Sequence, residues 1–97
     1  MDRQLREQLE AVALSYRHRK DHAPKVTAKG RGEAAERILE LARAFDIPIH
    51  EDKNLVQVLS RLDLHEEIPL EIYRAVAEIL VFLYWLAQQE PQEAEER

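Results

Sequence analysis

The sequence predicts a small α/β domain in which a mixed sheet of about three strands packs with helices, in the order β-β-α-β-α-α. Three observations lead to this prediction. Short apolar runs typical of strands lie in the first half of the chain, and apolar residues at helical spacing dominate the second half. The chain's two glycines, Gly30 and Gly32, lie between the second predicted strand and the first long helix.

Two strands are predicted before the glycines. Residues 11–16 are short, continuous and apolar, which is typical of a strand covered on both faces, although periodicity alone does not exclude a helix. Pro24 precedes the second predicted strand, residues 25–29, and proline is tolerated at the start of a strand. Residues 2–10 contain good helix formers with leucines at i and i+4, which predicts an additional short N-terminal helix.

The segment Lys29-Gly30-Arg31-Gly32 predicts a sharp turn that exposes positive charge. Glycine is usually kept where the backbone needs unusual dihedral angles or close approach. A glycine turn that opens a helix can also cradle a phosphate. However, the segment lacks both the Walker A pattern and the three-glycine dinucleotide fingerprint. A structural turn with a basic rim is therefore the preferred interpretation, and a nucleotide site is the alternative.

The first helix is predicted over residues 32–45, where apolar residues follow the 3.6-residue period. Pro48 ends it, because a residue before proline avoids the α region. We expect residues 47–50 (IPIH) to form a very short third strand. Residues 30–46 are long enough for a right-handed crossover, so the second and third strands are predicted to be parallel.

Two further helices are predicted in the second half. Asp52 is a plausible N-cap for a helix over residues 53–62. Residues 63–67 (DLHEE) are predicted to be a loop. Pro69 fits the first position of a third helix that runs to about residue 89.

The last part of that third helix, residues 79–87, is apolar for nine consecutive residues. A bilayer-spanning helix needs roughly 20 such residues, so we expect no membrane insertion. Residues 90–97 (EPQEAEER) are polar and acidic, which predicts a disordered tail. The sequence thus predicts one domain over residues 1–89, followed by this tail.

The composition narrows the functional classes. The chain has no cysteine, which excludes disulfides and thiolate metal sites, and a reducing cytoplasm is the default compartment. The net charge of −5 is unevenly distributed. Residues 1–31 carry eight Lys/Arg and four Asp/Glu, whereas residues 32–97 carry six and fifteen. Such polarity suits a docking surface for charged partners, and ordinary solvated charges are the plain alternative.

The candidate interaction residues are the basic side chains near the glycine turn, namely Arg17, Arg19, Lys20, Lys29 and Arg31. A small nucleic-acid-binding module is the alternative function for this basic N-terminal part. The acidic net charge argues against it, and so does the lack of an aromatic stacking platform around the one nearby aromatic residue, Tyr16. No nucleic-acid partner is therefore expected.

Enzymatic and metal chemistry find little support. The four histidines are scattered and form no HExxH or histidine-rich cluster, so no metal or cofactor is expected. Serines are few, namely Ser15 and Ser60, and no nucleophile elbow is present. The carboxylates lie on predicted helix faces, where solvation explains them. We expect a protein that is not an enzyme.

Four segments together resemble a known family: AVALSY at 11–16, APKVTAKG at 23–30, IPIHED at 47–52 and EIPLEIYRAVAEIL at 67–80. They are similar to the cytoplasmic domain of the flagellar export switch protein FlhB and its type III secretion relatives. The resemblance covers roughly residues 10–87 in order. It implies a non-enzymatic component or modulator of the flagellar or type III protein export apparatus. The implied partners are export-gate membrane proteins or secreted substrates, in the cytoplasm or peripherally at the inner-membrane export gate.

One departure from the family bears on its self-cleavage. Family members cut their own backbone within Asn-Pro-Thr-His, just before the strand that corresponds to residues 11–14. Here Arg6, Glu7, Gln8 and Leu9 stand at those positions. Without the asparagine that cyclises or its neighbouring histidine, self-cleavage is not expected. The chain then resembles a stand-alone homologue of the fragment left after cleavage.

Overall fold

The structure, a computed structural model, describes residues 7–17 and 20–88. Within them two strands are followed by three helices, which confirms an α/β fold. The elements are β1 (Glu10–Ser15), β2 (Lys25–Arg31), α1 (Glu33–Ala44), α2 (Lys53–Leu59) and α3 (Leu70–Gln88). The predicted N-terminal helix lies mostly outside the described residues, as do the predicted end of the third helix at residue 89 and the predicted acidic tail.

The sheet is an antiparallel pair in which β1 lies beside β2. The register runs from Glu10 opposite Arg31, and it shifts at an irregularity after Ala13. The other edge of β2 is bonded to residues 65–68 in backbone contacts that the sequence did not predict. The Val26 N–H donates to the Glu66 carbonyl at 3.0 Å, and the Val26 carbonyl accepts from the His65 N–H at 2.6 Å. The predicted loop 63–67 therefore contributes to the sheet edge.

The predicted third strand is wrong, and with it the parallel crossover. Residues 47–50 adopt no regular secondary structure, and Ile47 is 56% exposed. The reason is the way in which α1 ends. Asp46 takes a positive φ of 58°, and the Ile47 N–H donates back to the Ala42 carbonyl at 2.8 Å, closing a Schellman motif. Pro48 has no N–H at all, so two of the four backbone donors are unavailable for a strand ladder.

The two glycines have different tasks, which corrects the prediction that both form the turn. Gly30 lies inside β2, which continues to Arg31. A Cβ at Gly30 would lie 2.6 Å from the Ala34 Cβ, so glycine permits the close approach of β2 and α1. Gly32 alone makes the turn, with φ 63° and ψ −125° at the N-cap of α1, a conformation that favours glycine.

The core lies between the strands and the last two helices. Its buried centre consists of Val26, Leu59, Ile68 and Val76. Partly buried apolar side chains pack around it: Val12, Leu14, Leu55, Leu62, Ile72 and Leu80. Ala35 of α1 is fully buried, and α1 packs against both strands. Asp52 caps α2 as predicted, since its carboxylate accepts from the Leu55 N–H at 3.0 Å, but the helix ends at Leu59 rather than residue 62.

Candidate functional site

The positions predicted to correspond to the family's cleavage site, residues 6–9, precede β1. Arg6 lies outside the described residues, whereas Glu7 and Gln8 are helical. Leu9 follows them, and its carbonyl accepts from the Gly32 N–H at 2.8 Å. This bond links the start of β1 to the turn before α1, so Leu9 lies at the end of the hairpin where β2 finishes.

Lys29 is held by the protein itself. Its Nζ donates to the Leu62 carbonyl at 2.6 Å and to the Ser60 carbonyl at 3.2 Å. Ser60 is the C-cap of α2, where the last carbonyls lack intrahelical donors and favour a cation. The ammonium of Lys29 therefore connects β2 to the end of α2 by hydrogen bonds. The sequence did not predict this structural role.

Arg31 lies nearby at the end of β2. Its Nη2 donates to Glu10 Oε2 at 3.2 Å across the strand pair, while 71% of its side chain stays exposed. The two residues line an open polar groove of about 220 Å³. The other lining residues are Gln57, Ser60 and Arg61. Arg61 thus joins Arg31 at one surface, which we call the Arg31–Arg61 groove.

Arg17 and Asp21 form a second charged cluster after β1. Asp21 accepts from the Arg17 guanidinium at 3.0 Å and from the Arg17 backbone N–H at 2.8 Å. These two hydrogen bonds, with the positive charges of Arg17 and Lys25, hold the pKa of Asp21 below its usual range despite some desolvation. Lys20 is exposed beside them, and Arg19 lies outside the described residues.

The structure therefore divides those predicted basic residues that it describes between the two ends of the hairpin. Arg31 lies opposite Glu10 at the start of β1, whereas Arg17 follows the last residue of β1, Ser15. A six-residue strand spans roughly 20 Å, so the two groups do not form one continuous edge. Arg61 was missed because it is 30 positions from Arg31, and no sequence pattern relates them.

The described part of the chain also bears on metal sites and membrane spans. Residues 7–17 and 20–88 contain no group of three or more histidines or carboxylates arranged to hold a metal ion. Among the helices that these ranges contain, none combines the length and apolar character that a membrane crossing requires.

The fold and its surface define a small α/β domain with two charged clusters at opposite ends of a hairpin. This fold resembles the crystal structure of the cytoplasmic domain of FlhB from Shewanella putrefaciens, with a TM-score of 0.78 and 31% identity over 91% of this chain and 71% of that one. The PscU C-terminal domain matches with a TM-score of 0.72 and 29% identity, over 76% of this chain and 95% of that one.

Sequence relatives agree with the structural ones. YlqH of Bacillus subtilis, an uncharacterized protein, is 43% identical over 78% of this chain and 82% of its own length. The flagellar biosynthetic protein FlhB of Yersinia enterocolitica is 46% identical over 78% of this chain. The match spans only 20% of that FlhB. Residues 10–83 match the model of the FlhB HrpN YscU SpaS family. The chain belongs to this family, which confirms the resemblance found in its motifs.

Proposed function

We propose that this chain is a non-enzymatic component or modulator of the flagellar or type III protein export apparatus. The observation that carries the proposal is the family match over residues 10–83, together with the likeness of the fold to the cytoplasmic domain of an FlhB. The chain resembles the substrate-specificity switch domain of that family. It would act in the cytoplasm or at the cytoplasmic side of the export gate, by binding secreted substrates or gate subunits.

The Arg31–Arg61 groove is the surface that we assign to this binding. Two guanidinium groups with exposed side chains line an open, polar concavity there, which suits contact with acidic groups of a partner. Lys29 contributes to the groove indirectly, because it holds the end of α2 that carries Ser60 next to β2. Arg17 and Lys20 form a separate candidate contact at the other end of the hairpin.

We also propose that the chain does not cut itself before β1. Cyclisation of an asparagine onto its own carbonyl carbon needs that side chain, and Arg6, Glu7, Gln8 and Leu9 supply none. The intact mass of the purified chain after long incubation at neutral pH checks this. We expect only the full-length mass. Two fragments whose masses show cleavage within residues 6–9 would overturn this part of the proposal.

The groove is tested by co-purification with export components. We expect Arg31→Gln combined with Arg61→Gln to weaken capture of the partner, because both positive charges are lost while the side chains keep similar length. Arg37→Gln is the matched control, since its side chain is 70% exposed, close to the 71% of Arg31, but lies on α1. Thermal melts check that all variants fold. Equal capture by both variants would rule out the groove as the docking surface.

A further inference from the structure

The two guanidinium groups of the Arg31–Arg61 groove differ in their electrostatic surroundings. The Arg31 Nη2 donates to Glu10 Oε2 at 3.2 Å, so the charge of Arg31 is offset by a carboxylate. Arg61 is exposed, and no carboxylate in the described ranges 7–17 and 20–88 forms an ion pair with it. Within those ranges Glu10 is also the only carboxylate that lines the groove. The positive charge of Arg61 is therefore uncompensated there.

The ion pair between Arg31 and Glu10 resists exchange with a carboxylate from outside. Only 15% of the Glu10 side chain is exposed, whereas 71% of the Arg31 side chain is. If Arg31 turned to a partner, Glu10 would remain as a largely covered carboxylate without its cation, and an unpaired covered charge is costly. A new ion pair on the exposed side of Arg31 would repay little of that cost. We therefore expect Arg31 to stay with Glu10 when a partner arrives.

The surroundings of Arg61 suit one acidic group. Gln57 lies four residues before Arg61 and also lines the groove, and its side-chain amide can donate to a carboxylate oxygen. The carbonyls of Ser60 and Leu62 at the end of α2 would by themselves repel an anion, because they lack helical donors. Both accept from the ammonium of Lys29, at 3.2 and 2.6 Å, so their partial negative charge is offset. A carboxylate can therefore approach Arg61 without opposition from the helix end.

We propose that the groove binds a single acidic side chain of a partner through Arg61, while Glu10 keeps Arg31 out of the contact. This inference rests on the proposed docking role of the groove, and it names the cation that makes the contact. Glu10 acts as a carboxylate of the chain itself that occupies Arg31 in place of the partner. Complementary charge decides which partner segments fit, so Glu10 limits the groove to one carboxylate. Loss of the Glu10 charge would open the groove to a second one.

NMR of the arginine side chains reports on each guanidinium separately. The probe is a short synthetic peptide of alternating glutamate and serine with blocked ends, added to the full chain at low ionic strength. A matched peptide carries glutamine in place of glutamate. We expect the Nε–H signal of Arg61 to move with the glutamate peptide only, and the signals of Arg31 and Arg37 to stay. Arg37 is the internal control, since its side chain is 70% exposed and pairs with Glu40. Movement of Arg31 as large as that of Arg61 would overturn the inference.

Glu10→Gln tests whether Glu10 withholds Arg31, because the amide keeps the size of the side chain but not its charge. We expect the glutamate peptide to move the signals of both Arg31 and Arg61 in this variant, and to bind about threefold more tightly. An unmoved Arg31 signal in the folded variant would refute the role of Glu10. Glu33→Gln is the matched control, since Glu33 is exposed two residues after Arg31 and does not line the groove. An equal gain in affinity in both variants would mean that net charge sets the affinity, and would contradict the inference.

Arg61→Gln decides the matter if Glu10→Gln does not fold. It should weaken binding of the glutamate peptide about fivefold, as expected for one exposed ion pair, whereas Arg37→Gln should not. Full affinity in folded Arg61→Gln would overturn the inference. The docking role of the groove fails in a different way. If neither Arg31 nor Arg61 responds to the glutamate peptide, the groove is not an acidic docking surface and both proposals for it are wrong. If Arg31 responds in the parent as Arg61 does, the docking role stands and only the part of Glu10 is wrong.

Discussion

The Nζ of Lys29 in β2 donates to the carbonyl of Leu62 beyond the end of α2, at 2.6 Å and across 33 residues of sequence. Together with a second hydrogen bond, to the Ser60 carbonyl, this contact connects the hairpin to the end of the second helix. A residue that the sequence suggests as part of a docking rim therefore stabilises the fold. Ser60, one of the two acceptors, also lines the Arg31–Arg61 groove.

Replacing Lys29 by methionine should lower the free energy of unfolding by about 1 kcal/mol, because a charged donor to two carbonyls is lost from an exposed site. For a domain of this size that corresponds to a fall in melting temperature of roughly 4–8 °C. Lys20→Met is the control, since Lys20 is exposed in the loop after β1. Equal melting temperatures for the two variants would show that the Lys29 contact adds no stability.

Gly30→Ala should destabilise the chain by about 1–3 kcal/mol, because the new methyl group would overlap α1. Its Cβ would lie 2.6 Å from the Ala34 Cβ and 3.0 Å from the Ala34 carbonyl carbon. Chemical denaturation measures the loss. Ala34→Gly removes the clash with the Ala34 Cβ but leaves the clash with the backbone. Gly30→Ala should therefore cost less stability in the Ala34→Gly background than in the parent, but the cost should not fall to zero. Full stability of Gly30→Ala would mean that β2 and α1 are further apart.

Val76 and Val81 lie five residues apart on α3 and offer a matched pair. Val76 is 1% exposed and belongs to the core cluster, whereas Val81 is 68% exposed. Val76→Ala should cost about 2 kcal/mol through lost burial and a residual cavity. Val81→Ala should stay within about 0.5 kcal/mol of the parent in the same denaturation experiment. A larger loss of stability for Val81→Ala than for Val76→Ala would mean that the face of α3 that carries Val81 packs in the core.

The lowered pKa of Asp21 predicts that the stability of the fold depends on pH. Hydrogen bonds from Arg17 lower the pKa of Asp21 in the folded state. The contribution of this carboxylate to stability is therefore fully present above its unfolded pKa of about 4 and is lost as pH falls through the lower folded value. Carboxyl carbon NMR should show Asp21 titrating below the usual range. In Arg17→Gln the pKa of Asp21 should rise towards its ordinary value, and no rise would exclude the Arg17 guanidinium as the main cause.

Much of the fold follows from local sequence signals. The apolar run before Ser15 and the Pro24 start predict the two strands, and helical periodicity with Asp52 and Pro69 predicts the three helices. The prediction failed at residues 47–50, where the alternation of isoleucines resembles a strand. There the positive φ of Asp46 and the missing N–H of Pro48 decide the outcome, and hydrophobic pattern does not report either effect.

The candidate site was only partly predictable, because it depends on contacts between distant residues. Charge content identified Arg31, but its neighbours Glu10 and Arg61 come from other elements. The bonds of Lys29 to α2 likewise join positions more than 30 apart. Residues 65–68 pair with β2 although the segment DLHEE carries no strand pattern. Tertiary packing places these groups, and local propensity does not.

The central claim, a role in protein export, is tested most directly in a cell whose FlhB-type switch protein lacks the fragment that follows its cleavage site. The measurement is the amount of flagellar protein secreted when this chain is supplied separately. We predict that the chain restores secretion, that Arg31→Gln with Arg61→Gln reduces the restoration, and that Arg37→Gln does not. No restoration by the folded chain at matched expression, together with no binding to export components, would contradict the account.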